Sequence, residues 1–291
     1  METSQAPGPF QTWIAFDLET TGLNPKDDRI VEIGAVRFDG AGREVAVFER
    51  LLNPRRPSHP RARAVHGIDD ATLAKAPPAA AVLPEFLEFL GDPDLTTLLA
   101  HNAGFDAAFL GAELARLGRS MPGHGVIDTL ALARRGFPHL PSHRLDGLAR
   151  HLGLDPYGPH RALADSRRVM SLWLALGGEA GLQGRAPAVF PIHDPSGPPP
   201  PPRGWEPLAE AASRGWPVRV VYEGGSRGDA PRTITPRRFA HRGGVVYVVS
   251  LCHIDAKEKE FRLDRMRAYE VIAPPPSGGS SVESPGPSGY S

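Results

Sequence analysis

The chain has 291 residues, 41% of them apolar and 23% charged, a balance that suits one large or two modest globular domains. Its 33 basic and 33 acidic residues cancel, so net charge gives no global pull toward nucleic acid. The single Cys252 excludes an internal disulfide and a cysteine cluster for zinc. The start METSQAPGPF has neither a basic nor an apolar segment of a secretion signal. No run approaches the roughly 18 apolar residues of a membrane helix, so a cytoplasmic protein with no membrane partner is expected. Charge is nonetheless uneven. Residues 1–194 carry 20 basic and 23 acidic side chains, whereas residues 203–273 carry 13 basic and 9 acidic.

In chain order, Trp13–Leu18 is a short apolar strand. Ile30–Phe38 and Glu44–Leu52 are two more, joined so tightly at Gly40 and Gly42 that they must be antiparallel. A helix is predicted over Val82–Leu90, a buried strand over Thr96–Ala100, and a helix over Phe105–Leu117 that Gly118 ends. Val126-Ile127 marks a further strand, followed by helices near 128–135, 142–152 and 161–176. Three strands followed by alternating helix and strand give a mixed α/β sheet flanked by helices. PSGPPPPP at 195–202 reads as a polyproline spacer, within a Pro-rich linker over 178–204. Beyond it come a short helix to Arg214, then strands at 217–222, 232–241, 245–251, 260–263 and 269–272, with glycine pairs at 224–225 and 243–244 as turns. A small all-β domain over 205–273 is predicted, followed by a disordered tail at 274–291.

The chemistry-bearing residues concentrate in the first domain. Asp17 and Glu19 sit two apart at the end of a buried strand, so both carboxylates leave the same face. Two acids there are costly unless a cation lies between them; the bland alternative is a turn cap or a pair with Arg29. Asp106 opens the helix after the buried strand, where an acid is usually just a favourable dipole partner. Asp165 lies five residues after His160, an offset that does not share a helix face. The two converge only if His160 comes from the loop and curls back over a metal held by Asp165. The bland alternative is a solvated helix, since Arg161, Arg167 and Arg168 are near. Oxygen ligands of this kind suit two Mg²⁺ or Mn²⁺ ions, and a histidine beside them suits a general base.

FDLETTGL at 16–23, HNAGFDAAFL at 101–110 and HRALADS at 160–166 resemble, in order and spacing, the three motifs of the DEDD exonuclease superfamily, histidine subtype. Its DnaQ-like members include the proofreading epsilon subunit of bacterial polymerases. The resemblance covers residues 10–177 and implies a ribonuclease H-like fold and a bacterial 3′–5′ exonuclease. It implies Asp17 bridging both metals, Glu19 and Asp165 completing the first site, Asp106 supporting the second through water, and His160 as general base. Thr20 and Leu23 resemble positions that contact the terminal nucleotide, with Leu23 as a wedge against the last base. Asn102 and Phe105 fall in the second motif as substrate-binding candidates. Val65-His66-Gly67-Ile68 resembles another element near the nucleotide, which makes His66, expected to be exposed, a candidate contact.

In the second domain, Arg219–Tyr222, Thr235–Arg237, Val246–Val248 and FRLDR at 261–265 resemble a WYL-type module, SH3/Sm-like in form. The resemblance implies binding of nucleic acid or a nucleotide-like ligand, with Arg237, Arg262 and Arg265 as contacts and Tyr247 as a stacking face. The alternative is that these arginines pair with Glu258, Glu260 and Asp264. The partners expected are single-stranded or 3′-ended nucleic acid, DNA ahead of RNA, and a polymerase or another repair protein. The rival readings are an exoribonuclease of the same superfamily and a WYL-type regulator with a vestigial nuclease.

Overall fold

The computed structural model describes residues 12–154, 161–182, 187–197, 200–201, 205–223, 230–242 and 245–272. His160, the predicted glycine turns at 224–225 and 243–244, most of the proline run and the tail lie outside them. The chain divides into two compact units, one built on the residues before 204 and one mainly on those after.

The first unit is a six-stranded sheet in the order β3-β2-β1-β4-β5-β6. Its strands are β1 (Thr12–Thr20), β2 (Ile30–Phe38), β3 (Glu44–Leu51), β4 (Thr96–Ala100), β5 (Gly125–Asp128) and β6 (Val189–Pro191). β2 runs antiparallel to both β1 and β3, β4 is parallel to β1 and β5, and β6 is antiparallel to β5. This is the mixed, helix-flanked, ribonuclease H-like sheet expected. The helices are α1 (Pro60–His66), α2 (Asp70–Lys75), α3 (Ala79–Leu90), α4 (Ala103–Arg116), α5 (Thr129–Gly136), α6 (Leu145–His151) and α7 (Ala162–Ala175). β6 falls inside the stretch read from the sequence as linker. Three residues with little periodicity gave no strand signal, yet Val189 pairs with Ile127 and Ile192 just beyond is buried.

Helices cover both faces of the sheet, so β2 is buried almost throughout instead of alternating. On one face Ile14, Phe16 and Leu18 pack against Phe86 of α3 and Phe109 of α4. On the other, Ala15 joins Val36, Phe38 and Leu99 against Val169, Met170 and Trp173 of α7. The period of two along β1 therefore sends Asp17 and Glu19, which follow Ala15, toward the α7 face.

The second unit is a five-stranded sheet in the order β10-β9-β8-β7-β11, preceded by α8 (Glu206–Arg214). Its strands are β7 (Val218–Tyr222), β8 (Arg232–Arg242), β9 (Val245–Cys252), β10 (Lys257–Arg262) and β11 (Met266–Val271), and β7 is antiparallel to β8 and β11. FRLDR does not form one strand. β10 ends at Arg262, and Leu263–Arg265 make a 3₁₀ turn into β11.

Candidate active site

The site begins with how α7 is seated. Gly34 lies opposite Asp17 in the β1–β2 register. A Cβ at Gly34 would stand 2.1 Å from the backbone of Ala162 and Leu163, so the missing side chain is what lets the helix start rest on β2. Ser166 locks it there, donating from Oγ to the Gly34 carbonyl (2.8 Å) and to the Ala162 carbonyl (2.6 Å). From the same strand the fully buried Glu32 takes the Arg161 guanidinium through both carboxylate oxygens (3.0 and 3.1 Å from Nε) and accepts from the Ala162 amide (3.1 Å). That contact anchors the first turn of α7 through a charged pair and a capped amide.

Seated this way, α7 carries Asp165 to β1. Ligand oxygens of Asp17, Glu19 and Asp165 lie within 4.8 Å of one another, a grouping that fits a divalent cation. Asp165 also accepts from Arg168, one turn on, at 2.6 Å; Arg168 is only 2% exposed. The solvated-helix alternative therefore fails for Arg168. The alternative that Arg29 neutralises the acids fails as well. Arg29 instead grips Glu113 of α4 through Nε and Nη2, at 2.6 and 2.8 Å.

The electrostatics demand a cation. Burial, then the charges of Asp106, Asp165, Glu19 and Glu32, push the Asp17 carboxyl well above the carboxylate range. Glu19 is pushed up to about 8, by burial first and then by Asp165 and Glu32, against the lowering influence of Arg161. Asp17 and Glu19, which resist ionisation beside Asp165, become comfortable when positive charge sits among them.

Asp106 is buried on the first turn of α4, close by but outside the three-carboxylate group. Its Oδ1 accepts from the Leu18 amide at 3.2 Å, tying α4 to the strand between the two metal-face acids. Burial also pushes this carboxyl up, although its bonds to backbone amides oppose the rise. The α4 start is set by Asp128, whose Oδ1 accepts from the amides of Asn102 (2.9 Å) and Ala103 (3.2 Å). Asn102 itself takes a left-handed φ of 70°, which asparagine tolerates.

These acids line a cleft of about 740 Å³. Asn102 and Phe105 border it. The lining also includes Arg134, His143 and Arg144 from the α5–α6 side, which no sequence motif pointed to. Thr20, Leu23 and His66 are not among the lining residues. The Thr20 hydroxyl donates to the Gly22 carbonyl (2.6 Å), bracing the turn that leaves Leu23 84% exposed. His66, expected at the surface, is buried at the end of α1. Its Nδ1 accepts from the Ile68 amide (3.0 Å), its Nε2 is enclosed without a hydrogen-bond partner, and burial lowers its pKa. In the second unit Arg237 pairs with Glu258 (3.0 Å), as does Arg238 (3.4 Å), whereas Tyr247 and Arg262 are half-buried and Arg265 is exposed.

Comparison with known proteins agrees with this geometry. Residues 14–173 match the family described as Exonuclease, and residues 205–271 match the WYL domain. The DNA polymerase III subunit epsilon of Treponema pallidum is 41% identical over 164 residues, covering 56% of this chain and 74% of that protein. The PolC-type DNA polymerase III of Bacillus subtilis is 35% identical over 175 residues, covering 60% of this chain but only 12% of the polymerase. The fold is also similar to that of E. coli exonuclease I solved with a dA16 oligonucleotide, at a TM-score of 0.56 and 19% identity over 83% of this chain and 55% of that one. The chain belongs to the DnaQ-like exonuclease family, as a metal-dependent 3′–5′ hydrolase with a WYL domain after it.

Proposed function

We propose that the chain removes nucleotides from the 3′ ends of DNA by a two-metal mechanism, with Asp17, Glu19, Asp106 and Asp165 holding two Mg²⁺ or Mn²⁺ ions and His160 as general base. The observation that carries this reading is the convergence of Asp17, Glu19 and Asp165 in a cleft, with carboxyls whose burial and mutual repulsion call for positive charge. When bound, the ions neutralise these carboxylates and offset the charge that grows on the phosphate as it is attacked.

The chain's own residues account for the remaining steps. Asp17, Glu19 and Asp165 would hold a divalent ion, with Arg168 keeping Asp165 in orientation. Asp17, shared between the two sites, and Asp106, fixed by the Leu18 amide, would support a second. His160, at the head of the HRALADS motif, takes the proton from the attacking water. Leu23 stands out from the turn after the acids and wedges against the terminal base, while Thr20 braces that turn. Asn102 and Phe105 border the nucleotide from the cleft wall, while His66, buried at the end of α1, accepts from the Ile68 amide. Arg134 and Arg144 line the same cleft as the acids and provide the cationic path that incoming phosphates need beside so many carboxylates, with His143 also in the lining. The second unit binds nucleic acid or a nucleotide-like ligand with Arg262, Arg265 and Tyr247, and with Arg237 once it leaves Glu258. The relatives named for DNA polymerase III favour DNA as substrate and a polymerase or repair protein as partner.

The test separates binding from chemistry in the full chain, using matched labelled DNA and RNA strands with Mg²⁺ or Mn²⁺. Asp17→Ala should nearly eliminate turnover on every strand, and His160→Ala should keep metal binding while lowering the rate by about 10²–10⁴-fold. A His160→Ala chain as active as its parent across neutral pH would mean that another group is the base.

A further inference from the structure

Arg232 opens β8 and lies opposite Val220 of β7 in the antiparallel register, two pairs along from Val218 and Ile234 and so on the same face. Val218, Val220 and Ile234 are fully buried, so Arg232 stands on the apolar inner face of the second sheet, itself only 7% exposed. Its Nε and Nη2 are enclosed and, among the described residues, have no hydrogen-bond partner. Its guanidinium carbon sits 5.9 Å from the centroid of the Tyr222 ring, which packs edge-on against Phe261 at 5.3 Å. Other arginines of this unit are differently placed. Arg219, Arg237 and Arg267 are exposed and carry carboxylate partners in Glu270, Glu258 and Glu223.

A buried cation with no carboxylate partner and two unused donors among the described residues is costly, and an aromatic ring offsets only part of that cost. The planar fork of a guanidinium matches an oxyanion, phosphate above all. Among oxyanions, a phosphomonoester brings up to two negative charges where a phosphodiester brings one. It is also what an exonuclease yielding nucleoside monophosphates generates on the same chain. We infer that Arg232 is the anion-binding residue of a ligand site in the WYL domain, and that its ligand is a phosphomonoester of the nucleotide class. This deepens the reading of the second unit as a ligand-binding module and rests on it.

The sources of such a phosphate are a free nucleotide and the 5′ end of a strand. Binding to the full-length chain should be followed by calorimetry and by the thermal unfolding midpoint. The probes are a nucleoside 5′-monophosphate and two oligonucleotides of one sequence, with and without a 5′-phosphate, all in chelator so that nothing is hydrolysed. The parent chain should bind the monophosphate, the 5′-phosphorylated strand or both in preference to the unphosphorylated strand, and should be stabilised by them. Whichever binds names the source. Arg232→Met should weaken that binding by about 10–100-fold. Arg232→Lys, which keeps the charge and loses the fork, should fall between the two. Without ligand, Arg232→Met should unfold at the same temperature as the parent or higher, because it removes an uncompensated charge. A purely structural arginine would lower that temperature. Two results overturn the proposal: phosphomonoester binding that survives Arg232→Met, or a parent chain that binds no phosphomonoester. If the unphosphorylated strand then still binds through Arg262 or Arg265, the module reading stands and only the Arg232 site falls.

Discussion

At the residue scale the acid group is a device for keeping carboxylates uncomfortable until metal arrives. Glu19 holds its proton up to about 8 in the folded chain but only to about 4.5 when unfolded. The folded state therefore binds more protons between those values, and its stability must fall as pH rises through them. In chelator, the thermal midpoint of the first unit should decline from pH 5 to pH 8. Saturating Mg²⁺ should flatten the decline, since bound cation favours the ionised form. A midpoint equally insensitive to pH with and without metal would show that the carboxyls are not strained. Much of this was legible in the sequence, because period two fixed the shared face of Asp17 and Glu19 and the motif order supplied Asp106 and Asp165. Arg168 was present three residues after Asp165, but helical spacing alone does not distinguish a buried partner from a solvated one. Arg134 on α5, and His143 and Arg144 in the connection to α6, left no trace, since only the fold determines that they reach the cleft.

At the element scale the site depends on how closely α7 approaches β2. Gly34 has an extended backbone, so its role is room alone. Gly34→Ala would put a methyl group into the backbone of Ala162 and Leu163. Overpacking of this kind costs about 1–3 kcal/mol. Because the shift falls on the turn that carries Asp165, nuclease activity should drop well beyond what the lost stability explains. Denaturant unfolding and activity well below the midpoint, measured on one preparation, separate the two effects; a fully active Gly34→Ala chain would deny that this contact sets the acid geometry. The main strands and helices were readable from apolar runs and their flanking turns. α1 and α2 were not, since six or seven residues give too little periodicity. α4 begins earlier than predicted because Asp128, distant in sequence, caps its first amides.

At the scale of the whole molecule, a slightly acidic nuclease precedes a basic unit, and a basic unit that binds nucleic acid as proposed would raise substrate concentration for the nuclease by tethering. A chain ending at residue 197 keeps β6 and the buried Ile192 and should remain an active nuclease of the same polarity. One ending at 177 lacks the sixth strand and should be markedly less stable. Compared with the full chain, the 1–197 form should bind long single strands more weakly and with a shallower salt dependence, measured by anisotropy at two salt concentrations. Unchanged affinity and slope would mean that the second unit does not act as a nucleic-acid tether. The proline run suggested a division from the sequence, but the last strand of the first sheet was hidden beside it, as three residues whose pairing with β5 is entirely tertiary.

The central claim is that the acid group makes this chain a metal-dependent 3′–5′ exonuclease. The most direct measurement is the product ladder from a 5′-labelled single-stranded DNA incubated with the full chain, in Mg²⁺ and in excess chelator. The account predicts stepwise shortening with the label retained until the last products, release of nucleoside monophosphates, and no hydrolysis in chelator. Early loss of the label as a mononucleotide, or full activity in chelator, would contradict it.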